Sequence, residues 1–147
     1  MHNIHATAVV LSDRGIVIRG ESGTGKTQLA LALICHAMAQ GLFGRLVSDD
    51  QIILSIHGGR LACEAPATIA GLVEVRSVGP SRMDFIAKAP VDLLVDLDAG
   101  SAERFPELRT DLLLGCEVPA VRLWSGDRQA ALAAVLARLS LPPFGGS

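Results

Sequence analysis

The chain has 147 residues and a formal net charge of −2, with half its residues hydrophobic and 19% charged. This length can bury a core without disulfides or structural metals, and the apolar balance fits one α/β domain around a buried sheet. The composition excludes the basic surplus needed for a sequence-independent grip on nucleic acid, and no apolar run reaches the roughly 18 residues of a membrane span.

Three cysteines, Cys35, Cys63 and Cys116, lack Cys-x-x-Cys spacing and read as reduced, mostly buried thiols. The start, Met1-His2-Asn3-Ile4-His5, lacks a basic segment followed by an apolar one, so a cytoplasmic location is expected.

Taken in chain order, Thr7 to Leu11 and Ile16 to Arg19 flank the turn Ser12-Asp13-Arg14-Gly15 and predict a hairpin. Thr27 to Ala39, rich in Ala, Leu and Met, predicts a helix ending near Gly41, and its near-continuous apolarity predicts burial on several sides. Leu46-Val47, Gln51 to Ile56 and Arg60 to Cys63 predict strands, with His57-Gly58-Gly59 turning between the last two. Gly71 to Arg76 alternates and is rich in valine, so it predicts a strand that runs into the breaker pair Gly79-Pro80. Val91 to Asp98 is the best buried strand, Val118 to Leu123 is expected to be the final one, and Arg128 to Leu139 has helical spacing. Residues 1–141 are expected to form the domain and 142–147 a flexible tail.

Between the first hairpin and the helix lies Gly20-Glu21-Ser22-Gly23-Thr24-Gly25-Lys26-Thr27, which satisfies Gly-x-x-x-x-Gly-Lys-Ser/Thr at every fixed position. Its glycines let backbone N–H groups turn inward around phosphate oxygens, and the helix N-terminus adds partial positive charge. Lys26 is expected to bridge the β and γ phosphates, and the Thr27 hydroxyl to reach a magnesium ion. A plain glycine-rich turn accounts for the glycines but not for a lysine and threonine in register. The expected ligand is ATP with Mg²⁺.

Such a loop serves kinases, switches, motors and sensors alike. A metal-supporting aspartate after an apolar strand is offered twice, by Leu94-Val95-Asp96-Leu97-Asp98 and by Ser48-Asp49-Asp50.

His5, the loop, Asp49-Asp50 after Val47-Ser48, Gly71-Leu72-Val73-Glu74-Val75-Arg76 and the late Leu114 to Val121 stretch occur in an order that resembles the HPr kinase/phosphorylase family, bacterial enzymes that phosphorylate a serine of the phosphocarrier protein HPr. The resemblance implies a phosphoenolpyruvate-carboxykinase-like mixed sheet with flanking helices. It implies that Asp50 is the base that receives the serine proton, that Asp49 supports the metal site, and that Glu74 joins Thr27 as a magnesium ligand. It also places His5 and Arg104 among the catalytic residues, beside Lys26. The partner it implies is HPr or a related carrier, and the assembly a homo-oligomer, a hexamer in the family.

The chain also departs from that pattern. Family members carry a separate N-terminal domain, so the chain is expected to be a short form. Arg122-Leu123-Trp124-Ser125-Gly126-Asp127-Arg128 replaces a run associated with phosphorolysis of phosphoserine, an activity expected to be weak or absent. The runner-up readings are a small-metabolite kinase using Asp96 as its metal residue and a non-catalytic ATP-sensing regulator. From the residues alone His5, like His2, reads as an exposed terminal histidine, His36 and His57 as helix-surface and turn residues, and Trp124 as packing.

Overall fold

A computed structural model describes residues 2–100 and 107–145. In chain order the strands are β1 (His2–Ile4), β2 (Thr7–Leu11), β3 (Arg14–Arg19), β4 (Gly44–Ser48), β5 (Ile52–His57), β6 (Arg60–Glu64), β7 (Leu72–Val75), β8 (Gly79–Arg82), β9 (Lys88–Pro90), β10 (Leu93–Asp98), β11 (Arg109–Leu113) and β12 (Cys116–Trp124). Helix α1 (Lys26–Ala39) joins β3 to β4, and α2 (Arg128–Arg138) follows β12.

A mixed sheet of six strands, in the order β11-β12-β10-β3-β2-β4, forms the middle layer. Strands β3, β10 and β12 are parallel, whereas β2 is antiparallel to both β3 and β4, so β4 runs with the parallel set. Alternation of side chains along these strands supplies two apolar faces. Val9, Leu11, Ile16, Ile18, Val95 and Leu97 meet both helices, while Ala8, Val10, Val17, Leu94 and Ala120 meet the antiparallel sheet β1-β5-β6-β9. The expected α/β architecture therefore forms, with both helices on one face and a second sheet on the other. No helix of the described residues is long and apolar enough to cross a membrane.

Three local expectations change. Helix α1 buries one stripe, Leu29, Ala30, Leu33, Ile34 and Ala37, while Cys35 and Met38 are exposed, so the expectation of mostly buried thiols is met only at Cys63. Its other apolar residues are alanines and leucines chosen as helix formers on a half-exposed side. Gly79-Pro80 does not break the chain but opens β8, where Pro80 sits opposite Glu74 in a two-stranded ribbon. Such a ribbon is all edge, so the missing N–H is tolerated. Strands β1, β9 and β11 were not expected: two have three residues each, and Arg109-Thr110-Asp111 makes β11 polar.

Candidate functional site

The carboxyl ends of β3, β4, β10 and β12 converge on one edge of the central sheet, where open α/β sheets bind their ligands. The glycine-rich loop leaves β3 there, and β4 delivers Asp49 and Asp50 to the same edge. Two strands of geometry thus bring together residues that lie far apart in sequence.

Within the loop, Gly23 and Gly25 have φ of 85° and 93°, a left-handed region that side chains rarely adopt. Gly20 is required for space instead: a Cβ there would lie 2.6 Å from Thr24 Oγ1 and 2.9 Å from the Leu97 carbonyl oxygen. Thr24 donates from its N–H and its hydroxyl to the Glu21 carbonyl, at 3.1 and 2.8 Å, which closes the loop. No side chain caps α1, so its first N–H groups remain available to an anion. Lys26 is buried, and its ammonium donates to the carbonyls of Gly20 (2.9 Å) and Glu21 (3.3 Å) across the mouth of the loop.

Asp49 is the hub of the site. The residue is only 7% exposed, and its carboxylate accepts from Thr27 Oγ1 (2.7 Å), Thr7 Oγ1 (3.0 Å) and the Glu74 N–H (3.0 Å). Strands β2, β4 and β7 and helix α1 are thereby tied to one carboxylate. Asp50 has φ of 70°, which aspartate tolerates better than most residues. Its N–H donates to Thr7 Oγ1 (3.1 Å) and its carbonyl accepts from the Ala6 N–H (3.1 Å), so the backbone is clamped from both sides. The Asp50 carboxylate lies 3.2 Å from His5 Nε2, and both side chains are substantially exposed.

Lys26, Thr27, Asp49, Asp50 and Glu74 all border one cavity of about 580 Å³. Among the described residues no three His, Cys, Asp or Glu side chains converge as a self-sufficient metal cage. Magnesium takes one or two carboxylates together with substrate phosphates and water, and the all-oxygen set of Thr27, Asp49 and Glu74 fits that chemistry.

Asp96 is placed elsewhere. It lies opposite Arg19 in the β10–β3 register, and Arg19 donates to its two carboxylate oxygens at 2.9 and 3.1 Å. Arg109 adds a third contact at 3.1 Å, and Arg19 also reaches Asp111 at 3.1 Å. The hydrogen bond that Arg19 donates to Asp96 leads the causes that hold its guanidinium above its ordinary value, against the opposing effect of burial. Asp96 is thus occupied as an ion-pair partner directly before the loop. Asp98 accepts from the Gly100 N–H (2.7 Å) and faces Arg122 at 3.7 Å.

His36 Nε2 donates to the Pro142 carbonyl at 2.7 Å, and His57 Nε2 lies 3.0 Å from Ser55 Oγ and Lys88 Nζ, both histidines away from the loop. Arg104 lies outside the described residues. Sequence reasoning missed Thr7, whose hydroxyl serves both aspartates, and the Arg19–Asp96 pair. It also missed Arg76, which borders the large cavity and a smaller one across the loop.

Residues 1–84 match the family model for the HPr Serine kinase C-terminal domain. The chain belongs to this family. The matched residues include His5, the loop, Asp49, Asp50 and Glu74, whereas Arg104 and the Trp124 to Arg128 run lie beyond them. Among HPr kinase/phosphorylases, that of Mycoplasmopsis pulmonis is 36% identical and that of Clostridium beijerinckii 38% identical, each over 76 residues, which is 52% of this chain and 23% of the relative. The chain thus matches under a quarter of the length of these relatives. In fold it is similar to the Hpr(Ser) kinase/phosphatase from Coxiella burnetii, with a TM-score of 0.76, 24% identity, and 92% of this chain and 91% of that one covered.

Proposed function

We propose that this HPr kinase-family chain is an ATP- and magnesium-dependent protein serine kinase whose substrate is HPr or a related phosphocarrier. The observation that carries the reading is the single cavity bordered by Lys26 and Thr27 of the loop on one side and by Asp49, Asp50 and Glu74 on the other. In this reading the ammonium of Lys26 exchanges the Gly20 and Glu21 carbonyls for β- and γ-phosphate oxygens, while the loop N–H groups hold the chain of phosphates in line. Thr27 and Glu74, supported by Asp49, would hold magnesium, which when bound would supply charge neutralisation at the transferred group.

Asp50 orients the acceptor serine and takes its proton late, which suffices because a loose phosphoryl-transfer transition state needs little early proton removal. His5, 3.2 Å away, holds that carboxylate toward the cavity. The reading further assigns catalysis to residues 1–141 and a cytoplasmic setting, both from the sequence, and a homo-oligomeric assembly from the family resemblance. The test is incubation with γ-labelled ATP, magnesium and purified carriers of the HPr type and its nitrogen-related relative. Label on a serine of one carrier is the expected result; label on a small metabolite, or ATP binding with no transfer to any carrier, overturns it.

A further inference from the structure

We infer that the smaller cavity, about 210 Å³ on the other flank of the loop, receives the nucleoside end of the triphosphate, with Arg128 making the contact that favours a nucleotide over a bare polyphosphate. This rests on the phosphate-binding reading of the loop. The two cavities share Gly23, Gly25, Gln28 and Arg76, so a ligand seated on the loop touches both. The larger one holds the three carboxylates, and there the γ-phosphoryl group, the metal and the incoming hydroxyl must meet. A base lodged in that cavity would occupy the place of the acceptor protein.

The smaller cavity has the opposite chemistry. No carboxylate lines it; Leu29, Leu97 and Ala131 make a small apolar floor, and Gln28, Arg76, Ser125 and Arg128 make most of the rest polar. A flat heterocycle with polar edges suits that combination. Its wall is also built in advance. The Ser125 N–H donates to the Asp98 carbonyl at 2.8 Å, joining the ends of β12 and β10. The Trp124 ring lies across Gly126 so closely that a Cβ there would be 2.2 Å from it. Asp127 then caps α2 by accepting from the Ala130 N–H at 3.0 Å.

Arg128 therefore rises from the first turn of a fixed helix, exposed and, among the described residues, without a hydrogen bond or ion pair of its own. A guanidinium so placed can lie flat on an aromatic ring. Because its wall needs no ordering, the cavity loses little entropy when filled.

Calorimetry with ATP and with inorganic tripolyphosphate, both with magnesium, separates this inference from the reading beneath it. Arg128→Ala, and independently Ser125→Leu, which narrows the cavity, are expected to weaken ATP binding about tenfold, equivalent to about 1.4 kcal/mol. Both should leave tripolyphosphate binding within about twofold of the unaltered protein, on the same scale. Lys26→Ala should weaken both ligands. Equal losses for both ligands in the Arg128 and Ser125 variants, or no loss for ATP in either, would place the nucleoside outside this cavity. Tripolyphosphate binding that ignores Lys26→Ala would instead overturn the loop reading, and this inference with it.

Discussion

Thr27 Oγ1 donates to Asp49 Oδ1 across 2.7 Å, so the last residue of the phosphate-binding loop is held by the first carboxylate after β4. The same oxygen accepts from Thr7, and the other from the Glu74 N–H. A metal ion arriving at Thr27 would meet a hydroxyl already aimed by a buried anion. On the proposed reading the supporting carboxylate would thus orient the residues around the metal as well as contribute charge.

Asp49→Ala should therefore be costly to the fold as well as to the chemistry. It orphans two hydroxyls and one N–H in a nearly closed site, for an expected loss of about 2–4 kcal/mol. Asp49→Asn keeps the shape and one acceptor oxygen and should lose less than half of that. Urea unfolding of the three proteins checks the ranking, and an Asp49→Ala protein as stable as the parent contradicts it.

Glu74→Gln is expected to lower transfer by about 10- to 100-fold at low magnesium and to recover in part as magnesium is raised. The Glu74 N–H that supports Asp49 is unaffected by the change. Asp96→Asn should show the reverse profile, a loss of stability from the weakened Arg19 and Arg109 pairs with little change in magnesium requirement. Magnesium titrations of activity beside thermal melts distinguish the two. A magnesium-dependent defect in the Asp96 variant alone would return that residue to the metal site.

The difference between these two acids shows what the sequence could carry. The loop was legible because its chemistry needs fixed residue types at consecutive positions, and the hairpins and α1 because their periodicity is local. Asp96 reads equally well as a metal ligand until the β3–β10 register sets it opposite Arg19, 77 residues away. Thr7 gives no signal at all: it is an ordinary strand residue whose role exists only because β4 folds back beside β2 and brings Asp49, 42 residues on, to its hydroxyl. The second sheet that covers one face was half visible, since β5 and β6 have a clear turn while β1 and β9 are too short for a pattern.

Cysteine reactivity should divide sharply. Cys35 is exposed on α1, whereas Cys63 is buried between the sheets, and burial, with Glu64 and Asp92 adding to it, pushes its thiol from 9.0 up to about 12. A native-state thiol reagent should label Cys35 and spare Cys63. Below pH 9 both folded and unfolded chains keep the Cys63 proton, but between 9 and 12 only the folded chain does. Stability contributed by this group should thus fall as pH rises through that window, by at most about 1.4 kcal/mol per unit. Comparison of the parent with Cys63→Val across pH 8 to 10.5 is the check, and a difference that does not change with pH refutes it.

Lys26→Ala should lower transfer by at least about 10²- to 10³-fold, the scale of losing one preorganised donor to the transition state. The ammonium is the charge that sits across the loop mouth, between the Gly20 and Glu21 carbonyls. Single-turnover transfer at saturating magnesium-ATP is the measurement. A rate within a few-fold of the parent would remove the lysine from the chemistry.

The last prediction concerns Asp50 and the direction of the reaction. On the proposed reading its carboxylate would accept the serine proton in the forward direction, as the γ-phosphoryl group transfers. In the reverse direction inorganic phosphate attacks the phosphoserine phosphorus to give pyrophosphate, and the same group, protonated, returns a proton to the departing serine oxygen. Microscopic reversibility assigns both to one residue, so Asp50→Asn should lose both. Phosphorolysis further needs a cationic seat for free phosphate. The run from Arg122 to Arg128 offers one cation, and that one away from the carboxylates: Arg122 faces Asp98 at 3.7 Å, Asp127 lines neither cavity beside the loop, and Arg128 lines only the smaller cavity, not the one that holds Asp49, Asp50 and Glu74. Asp127 instead spends its carboxylate on the Ala130 N–H, occupying part of the α2 terminus that could have held an anion. The unaltered protein should accordingly phosphorylate its carrier yet release pyrophosphate slowly from the serine-phosphorylated carrier in added phosphate. Pyrophosphate release as fast as the forward rate would show that the altered run is not needed, and retention of either activity by Asp50→Asn would remove that residue as the base.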